Sequence, residues 1–397
     1  MNFVFISPNF PHTYWQFCDR LKKNGINVLG IGDSPYDGLE VPLKAALTEY
    51  YKVDSLEDYD QVYRAVAYFA FRYGKIDWIE SMNEYWLEQD ARLRDDFNVT
   101  TGIRSDRIGF IKEKSLMKGI YLDAGIPTAR QHVVSTREAG RAFIEKVGYP
   151  VIVKPDVGVG ATNTWKLESG ADLDAFYDHL PEPPYVMEEF IEGVICSYDA
   201  IIDSNGEPLF ESKTTWPSMQ DAVNEQKELY FYVVAGLPEQ MKRYGRAACK
   251  AFGVKSRFVH LEFCHMKKAK EGVGEEGDYV ILEVNMRPAE GYLGDMTNWA
   301  HATDVYQIWA DMITIDTNVT SSPKGDQFCV FASRRDQFTY AHSHDEIIKK
   351  YGRAIMAQER VPEFNVHAMG NQMYIAKVPD KAAVVEFVDF VCSHAEA

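Results

Sequence analysis

The sequence predicts a chain of mixed α/β and α+β character, with a parallel βαβ region first and mostly antiparallel strands behind it. Three observations carry that reading. Short apolar runs alternate with segments of helical period up to residue 80; strand-like runs dominate from Tyr185 to Met286 with one helix among them; short strands and a closing helix follow Ser321. At 397 residues the chain is too long for one compact core and suits two or three lobes.

Residues 2–7 form a short apolar run ending in a Pro8 to Pro11 turn, and residues 14–23 carry Tyr14, Phe17, Cys18 and Leu21 at helical spacing before Asn24-Gly25 stops them. A second strand follows at 26–31, then a helix at 59–73 stopped by Gly74 and a strand at 76–80. Open parallel sheets bind ligands beyond the carboxyl ends of their strands. Here those ends are the loops 7–11, Gly32-Asp33 and 81–84. No G-x-G-x-x-G follows the first strand, so a dinucleotide or SAM-type reading lacks its fingerprint. Further on, helices are expected at about 111–124 and 137–147, strands at 150–154 and 164–167, and a helix at about 239–252. The tail offers strands at 328–332 and 373–377 and a helix at 382–392.

Composition narrows the function classes. With 46% hydrophobic and 25% charged residues, and 27 Gly and 17 Pro spread along the chain, disordered and collagen-like classes fall away. The balance of 42 Lys+Arg against 59 Asp+Glu, net −17, suits neither a nucleic-acid backbone nor an anionic membrane surface. Any polyanionic ligand would need local lysines, arginines, backbone N–H groups or a metal. The cysteines (Cys18, Cys196, Cys249, Cys264, Cys329 and Cys392) stand far apart without a C-x-x-C pair, which suggests free thiols in a reducing compartment. The start MNFVFISPNF has no basic n-region, and no stretch approaches the length of a spanning helix, so a cytoplasmic protein is expected.

Three segments carry chemistry. In 148–162 an apolar strand delivers Lys154 to its end, and a loop with Gly158 and Gly160 follows. Glycines let backbone N–H groups approach phosphate oxygens, and a fixed ammonium adds charge. The lysine precedes the glycines, so this is no P-loop. A hairpin turn with an exposed lysine is an equally good reading of this segment alone. The second segment is Glu188-Glu189-Phe190-Ile191-Glu192. It suits an adenine slot with apolar walls and a carboxylate for the exocyclic amine. Taken by itself, solvated glutamates at a strand end weigh more.

The third segment is the most specific. In a strand, Glu283, Asn285 and Arg287 share one face and Leu282, Val284 and Met286 the other, while His260 and Glu262 face together one strand earlier. The stretch 267–278, with Gly272, Gly274 and Gly277, reads as the hairpin loop joining them. Antiparallel pairing would set Glu262 beside Glu283 and Asn285, and converging carboxylates require a proton or a cation. A small set of hard oxygen donors suits Mg²⁺, with Arg287 placed to meet an anion. A zinc site from His260, Cys264 and His265 is disfavoured because His265 falls on the face opposite His260.

Together these segments resemble the ATP-grasp superfamily, over about residues 106–315. Lys114 stands eleven residues before Gly125, as that family's first ATP lysine does before an A-G-I-P-like ending; Lys154 with Gly158/Gly160, Glu188 through Ile191, and Glu262, Glu283-x-Asn285-x-Arg287 follow in the family's order. The resemblance implies an N-terminal pre-ATP-grasp domain (1–106), an ATP-grasp domain (107–320) with a nucleotide lid at about 127–187, and a C-terminal α+β extension (321–397). It implies that ATP is held by Lys114, Lys154, Gly158, Gly160, Glu188, Glu189, Ile191 and Glu192, and Mg²⁺, or Mn²⁺, by Glu262, Glu283 and Asn285. Arg287 and Lys154 would be catalytic, and Arg287, Glu290, Asn83 and Glu84 would meet substrate, with the glycine loop as lid.

The implied activity is an ADP-forming ligase, one that activates a small carboxylate such as an amino acid as an acyl phosphate and couples it to an amine. The alternatives are a carboxylase or carbamoyl-phosphate-synthase-like enzyme activating bicarbonate, and a non-catalytic nucleotide-binding module. Homodimers are frequent in the family. The sequence departs from the family at Ile195, where many members carry a ribose-binding Glu, leaving Glu192 or Asp199 for that task. It departs again at Pro288-Ala289-Glu290-Gly291-Tyr292, where a Gly-rich run is common.

Overall fold

The computed structural model describes residues 1–158, 163–180, 182, 184–217, 226–234, 236–320 and 327–395. It opens with a parallel sheet of β1 (Asn2–Ile6), β2 (Asn27–Gly32), β3 (Glu49–Lys52) and β4 (Trp78–Glu80), in the order β3-β2-β1-β4. The helix Tyr59–Tyr73 covers one face through Val62, Val66 and Phe69. The helices Trp15–Lys23 and Val305–Ile315 cover the other, where Phe3, Phe17 and Trp309 pack edge to face. Burial on both faces explains the continuous apolar runs of β1 and β2. β3 escaped the sequence reading because its Glu-Tyr-Tyr-Lys is a half-buried edge strand without an apolar run.

Two antiparallel sheets follow. The smaller is built from β5 (Gln131–Val133), β6 (Val151–Pro155), β7 (Trp165–Leu167) and β8 (Tyr185–Glu189), in the order β5-β8-β6-β7. Helices Arg137–Val147 and Gly170–Asp178 back it with Ile144, Val147, Leu173 and Phe176. The larger has eight strands: β9 (Gly193–Ile202), β10 (Pro208–Trp216), β11 (Tyr230–Val234), β12 (Arg257–Met266), β13 (Tyr279–Asn285), β14 (Phe328–Arg334), β15 (Ile355–Arg360) and β16 (Gln372–Val378). Their order is β13-β12-β9-β10-β11-β14-β16-β15, so the tail's strands extend the same sheet that carries β12 and β13. Behind it, helices Lys114–Asp123 and Glu239–Ala251 bury Met117, Tyr121, Met241 and Ala248 against Leu261, Phe263, Ile281 and Val284.

The single helix expected at 111–124 is two helices, Ser105–Lys112 and Lys114–Asp123, broken where Glu113 is extended (φ −89°, ψ 110°). Asp156, just past β6, caps the second: its carboxylate accepts from Ser115 N (2.8 Å) and Ser115 Oγ (2.7 Å). An anion at that end satisfies free N–H groups and complements the helix dipole.

A buried ion network joins the first sheet to the largest one. Glu80, at the end of β4, accepts from Arg257 Nη1 (2.6 Å) and Nη2 (3.0 Å) at the start of β12, and from Arg94 Nη2 (2.6 Å). Arg94 also donates to the Ile79 carbonyl. Removing the central charge would leave two buried guanidinium groups without the carboxylate they share, and Asp90 stands off at 3.9 Å from Arg94. Glu80→Gln is therefore expected to destabilise the fold by about 3 kcal/mol, read as a lowered urea midpoint.

All six thiols are free, and among the described residues no helix is long and apolar enough to cross a membrane.

Candidate functional site

The β12–β13 ladder pairs His260 with Asn285 and Glu262 with Glu283, which sets the two carboxylates side by side on one face. A bulge follows at once, since Phe263 pairs with Ile281. Leu282 is the extra residue, and its placement differs from the alternation expected of a regular strand. Ile281 keeps to the core behind the sheet, while Leu282 packs with Ile191, Cys264 and Val280 in front. The bulge thus gives the site face an apolar floor and an acidic pair in consecutive residues.

Lysines converge on that face. Lys154 Nζ lies 2.7 Å from Glu188 Oε2, and Lys118 Nζ is 2.9 Å from Glu188 Oε1 and 2.8 Å from Thr128 Oγ1. Lys114, the first residue of its helix, lies 3.1 Å from Glu283 Oε1 and donates to the Gly158 carbonyl at 3.1 Å. Burial works against charge on Lys154, but Glu188, Glu283 and Glu262 outweigh it and raise its pKa. Burial likewise opposes ionisation of Glu188, yet Lys118 and Lys154 hold its carboxyl down at about 2.

A carboxyl depressed on folding stabilises the fold above its ordinary value and loses that contribution as the pH falls through the folded value. Wild-type stability is therefore expected to drop between pH 4.5 and about 2 more steeply than that of Glu188→Gln, as urea unfolding across this window will show.

Glu262 is held from behind. His260 Nε2 lies 3.6 Å from Glu262 Oε1, and His260 Nδ1 lies 2.6 Å from Asp199 Oδ1. Asp199 in turn accepts from Ser197 Oγ (2.5 Å). Burial opposes charge on His260, but the two carboxylates raise its pKa to about 9. Burial also disfavours the Glu262 anion, and His260, Arg287 and Lys154 together lower its pKa.

Among the described residues no three His, Cys, Asp or Glu side chains form a metal cluster. Glu262 and Glu283 become a set of three oxygen-bearing side chains only with the Asn285 amide. The buried Asn285 Nδ2 has no partner, so the site fits a group that brings oxygen atoms of its own, as a magnesium phosphate does. His260, Cys264 and His265 do not meet: Cys264 Sγ turns to the Ile191 carbonyl and His265 stacks on Tyr279.

Arg287 connects this face to a cavity of about 620 Å³ at the carboxyl ends of β1, β2 and β4. Its Nε lies 3.7 Å from Glu84 and 3.7 Å from Glu290, beyond hydrogen-bond distance, and is itself unpartnered. Asn9, Asp33 and Asn83 line the same space. Burial raises the Glu84 pKa against the pull of Arg287 and Lys112, and Glu283 adds to the rise.

The other expected residues sit elsewhere. Glu189 faces away from Glu188, on the alternate side of β8, and is buried under Arg130, to which it binds through both oxygens. Glu192 is exposed and paired with Lys268 (2.8 Å). Ile191 belongs to the apolar floor, and Ile195 packs toward the core around Trp216. Gly160 and most of the expected glycine lid lie outside the described residues. Lys118 and Asp156 were missed by the sequence reading. Lys118 had a signal, since it follows Lys114 by one helical turn on the same face.

No family model matches the chain. An L-arginine-specific L-amino acid ligase from Bacillus subtilis is 25% identical over 320 residues, covering 77% of this chain and 73% of that protein. The chain spans about 15% of the length of the carbamoyl phosphate synthase large chains it also matches, such as that of Micrococcus luteus. Among solved structures, an L-amino acid ligase from Bacillus licheniformis superposes with a TM-score of 0.70 at 15% identity, covering 98% of this chain and 97% of that one. The biotin carboxylase domain of Hydrogenobacter thermophilus 2-oxoglutarate carboxylase, solved with MgADP and bicarbonate, gives 0.68 at 15% identity, covering 96% and 87%. The chain has the fold of the ATP-grasp carboxylate–amine ligases.

Proposed function

We propose that this chain is an ATP-dependent, ADP-forming ligase that activates a small carboxylate, an amino acid above all, as an acyl phosphate and joins it to an amine. The observation that carries the reading is Arg287. Two residues beyond Asn285 in the chain, it stands against Glu84 and Glu290 in the cavity wall, so the acidic pair and the cavity meet at one cation.

On this reading the nucleotide lies between the small sheet and the front of the large one, with its base on Ile191 and Leu282 and its phosphates at Lys114 and Lys154. Lys118 keeps Glu188 ionised beside the base. Glu262, Glu283 and Asn285 would hold Mg²⁺, which supplies neutralising charge for phosphate oxygens. Two anions must meet in the first step, so positioning and charge neutralisation account for most of the catalysis. A substrate carboxylate oxygen forms a bond to the terminal phosphorus as the bond to the ADP oxygen breaks. Arg287 stabilises the charge on the transferred group. The amine nitrogen then bonds to the acyl carbon, inorganic phosphate leaves, and the amine gives up a proton. The domain limits at 106 and 320, and the lid at about 127–187, belong to the same proposal.

The test is ADP and phosphate release with Mg²⁺ and amino acids or small carboxylates, offered singly and in pairs. A paired requirement supports the ligase; release of AMP and pyrophosphate contradicts the class. The second reading, activation of bicarbonate, draws on the carbamoyl phosphate synthase relatives and the bicarbonate-bound neighbour. Bicarbonate-dependent ADP release with no organic acid would favour it. The roomy cavity beside Arg287 favours the first reading.

A further inference from the structure

The cavity beside Arg287 is more acidic than a neutral amino acid needs. Asp33, Glu84 and Glu290 line it, and Arg287 is the one cation among its lining residues. Lys112 and Lys114 also act on Glu84 from outside the lining, Lys112 from the Glu84 carbonyl and beside Glu88, Lys114 from its pairing with Glu283. Arg287 is already shared between Glu84 and Glu290. Once a substrate carboxylate takes its place on Arg287, those two carboxylates lose part of the one cation that lines the cavity with them.

A second observation points to a ligand. Glu84 is 5% exposed, and its Oε2 is buried with no hydrogen-bond partner. Asn9 Oδ1, on the same wall, is likewise an unpartnered acceptor. Buried acceptors without donors are costly, and a ligand that carries N–H groups removes that cost.

The topology sets the spacing. Glu84 follows β4 and Asp33 follows β2, with β1 between them. Two strand spacings place these loops about 10 Å apart. That span separates an α-ammonium held at Glu84 and Glu290 from a second positive group at the end of a long side chain held at Asp33. Phe10 and Trp86 line the same cavity, and aromatic faces accept cations.

Resting on the ligase reading above, we propose that the cavity selects an amino acid with a cationic side chain: carboxylate on Arg287, α-ammonium at Glu84 and Glu290, distal charge at Asp33. Arginine and citrulline separate charge from shape, because they differ little in size but by one unit of charge.

The experiment measures their binding by titration calorimetry on the full chain with MgADP present, in parallel with amino-acid-dependent ADP release. Arginine is expected to bind about tenfold more tightly than citrulline, with Asp33→Asn bringing the two close together and Asp33→Lys reversing the order. Asp33 is exposed, so both variants should fold, which a thermal melt checks. Equal binding of the two ligands, or no binding of either, overturns the proposal; ADP release with neutral amino acids would then leave the ligase reading standing. A preference that survives both variants also overturns it. A charge preference lost in Asp33→Asn, without ADP release from any amino acid, would support the cavity proposal and sink the ligase reading instead.

Discussion

Glu283→Gln is expected to lower ATP turnover by roughly a hundred- to a thousandfold while leaving the fold intact. The carboxylate lies beside Glu262 across the β12–β13 ladder and meets Lys114 at 3.1 Å. Its loss removes one of two acidic oxygen donors, and no other acidic side chain stands next to it in the ladder to take its place. The isosteric amide keeps the bulge and the Leu282 floor, and Lys114 retains the Gly158 carbonyl. A coupled ADP assay, with Mg²⁺ titrated in both proteins and a thermal melt alongside, checks this. The apparent Mg²⁺ requirement should rise in the variant. Turnover like that of the wild type would remove the metal assignment altogether.

Arg287→Ala is expected to lower carboxylate-dependent ADP release by about a hundredfold or more, with nucleotide affinity nearly unchanged. Arg287 faces Glu84 and Glu290 and no residue of the lysine and Glu188 grip on the nucleotide side. The two variants therefore differ in signature: Glu283→Gln should weaken metal-nucleotide binding, and Arg287→Ala should raise the KM for the acid and lower kcat together. Arg287→Lys should recover little, because a point charge cannot reproduce a planar fork between two carboxylates. Equal nucleotide affinity in wild type and Arg287→Ala, measured with a fluorescent ATP analogue, separates the roles. A large loss of nucleotide affinity would place Arg287 on the phosphates instead.

Much of the site was legible because strand alternation is a strict rule. The pattern Glu283-x-Asn285-x-Arg287 opposite His260-x-Glu262 could be paired through its hairpin loop, and the register matches that expectation. The bulge at Leu282 left no mark in the sequence, since an extra residue changes the alternation only where the partner strand is known. Asn83 and Glu84 lie at the cavity because they follow a strand end that the βαβ reading located, while Glu290, beyond the end of β13, was singled out only by the family resemblance. Glu189 shows the opposite case. Consecutive glutamates in a strand point to opposite faces, and which one meets a ligand depends on where Arg130 lies, fifty-nine residues away. The Glu113 helix break was hidden for a similar reason, because its cap, Asp156, comes from another sheet.

The eight-stranded sheet has a consequence for how this chain can be divided. β14 pairs with β11 along five residues, and Phe231 stacks on Phe331 across that seam. Cutting the polypeptide after residue 320 would strip the neighbour from β11, bare a row of N–H and C=O groups, and lay an aromatic stripe open to water. Such a fragment invites edge-to-edge association. The last fifth of the chain is a wall of the same building as the acidic pair, not an annex.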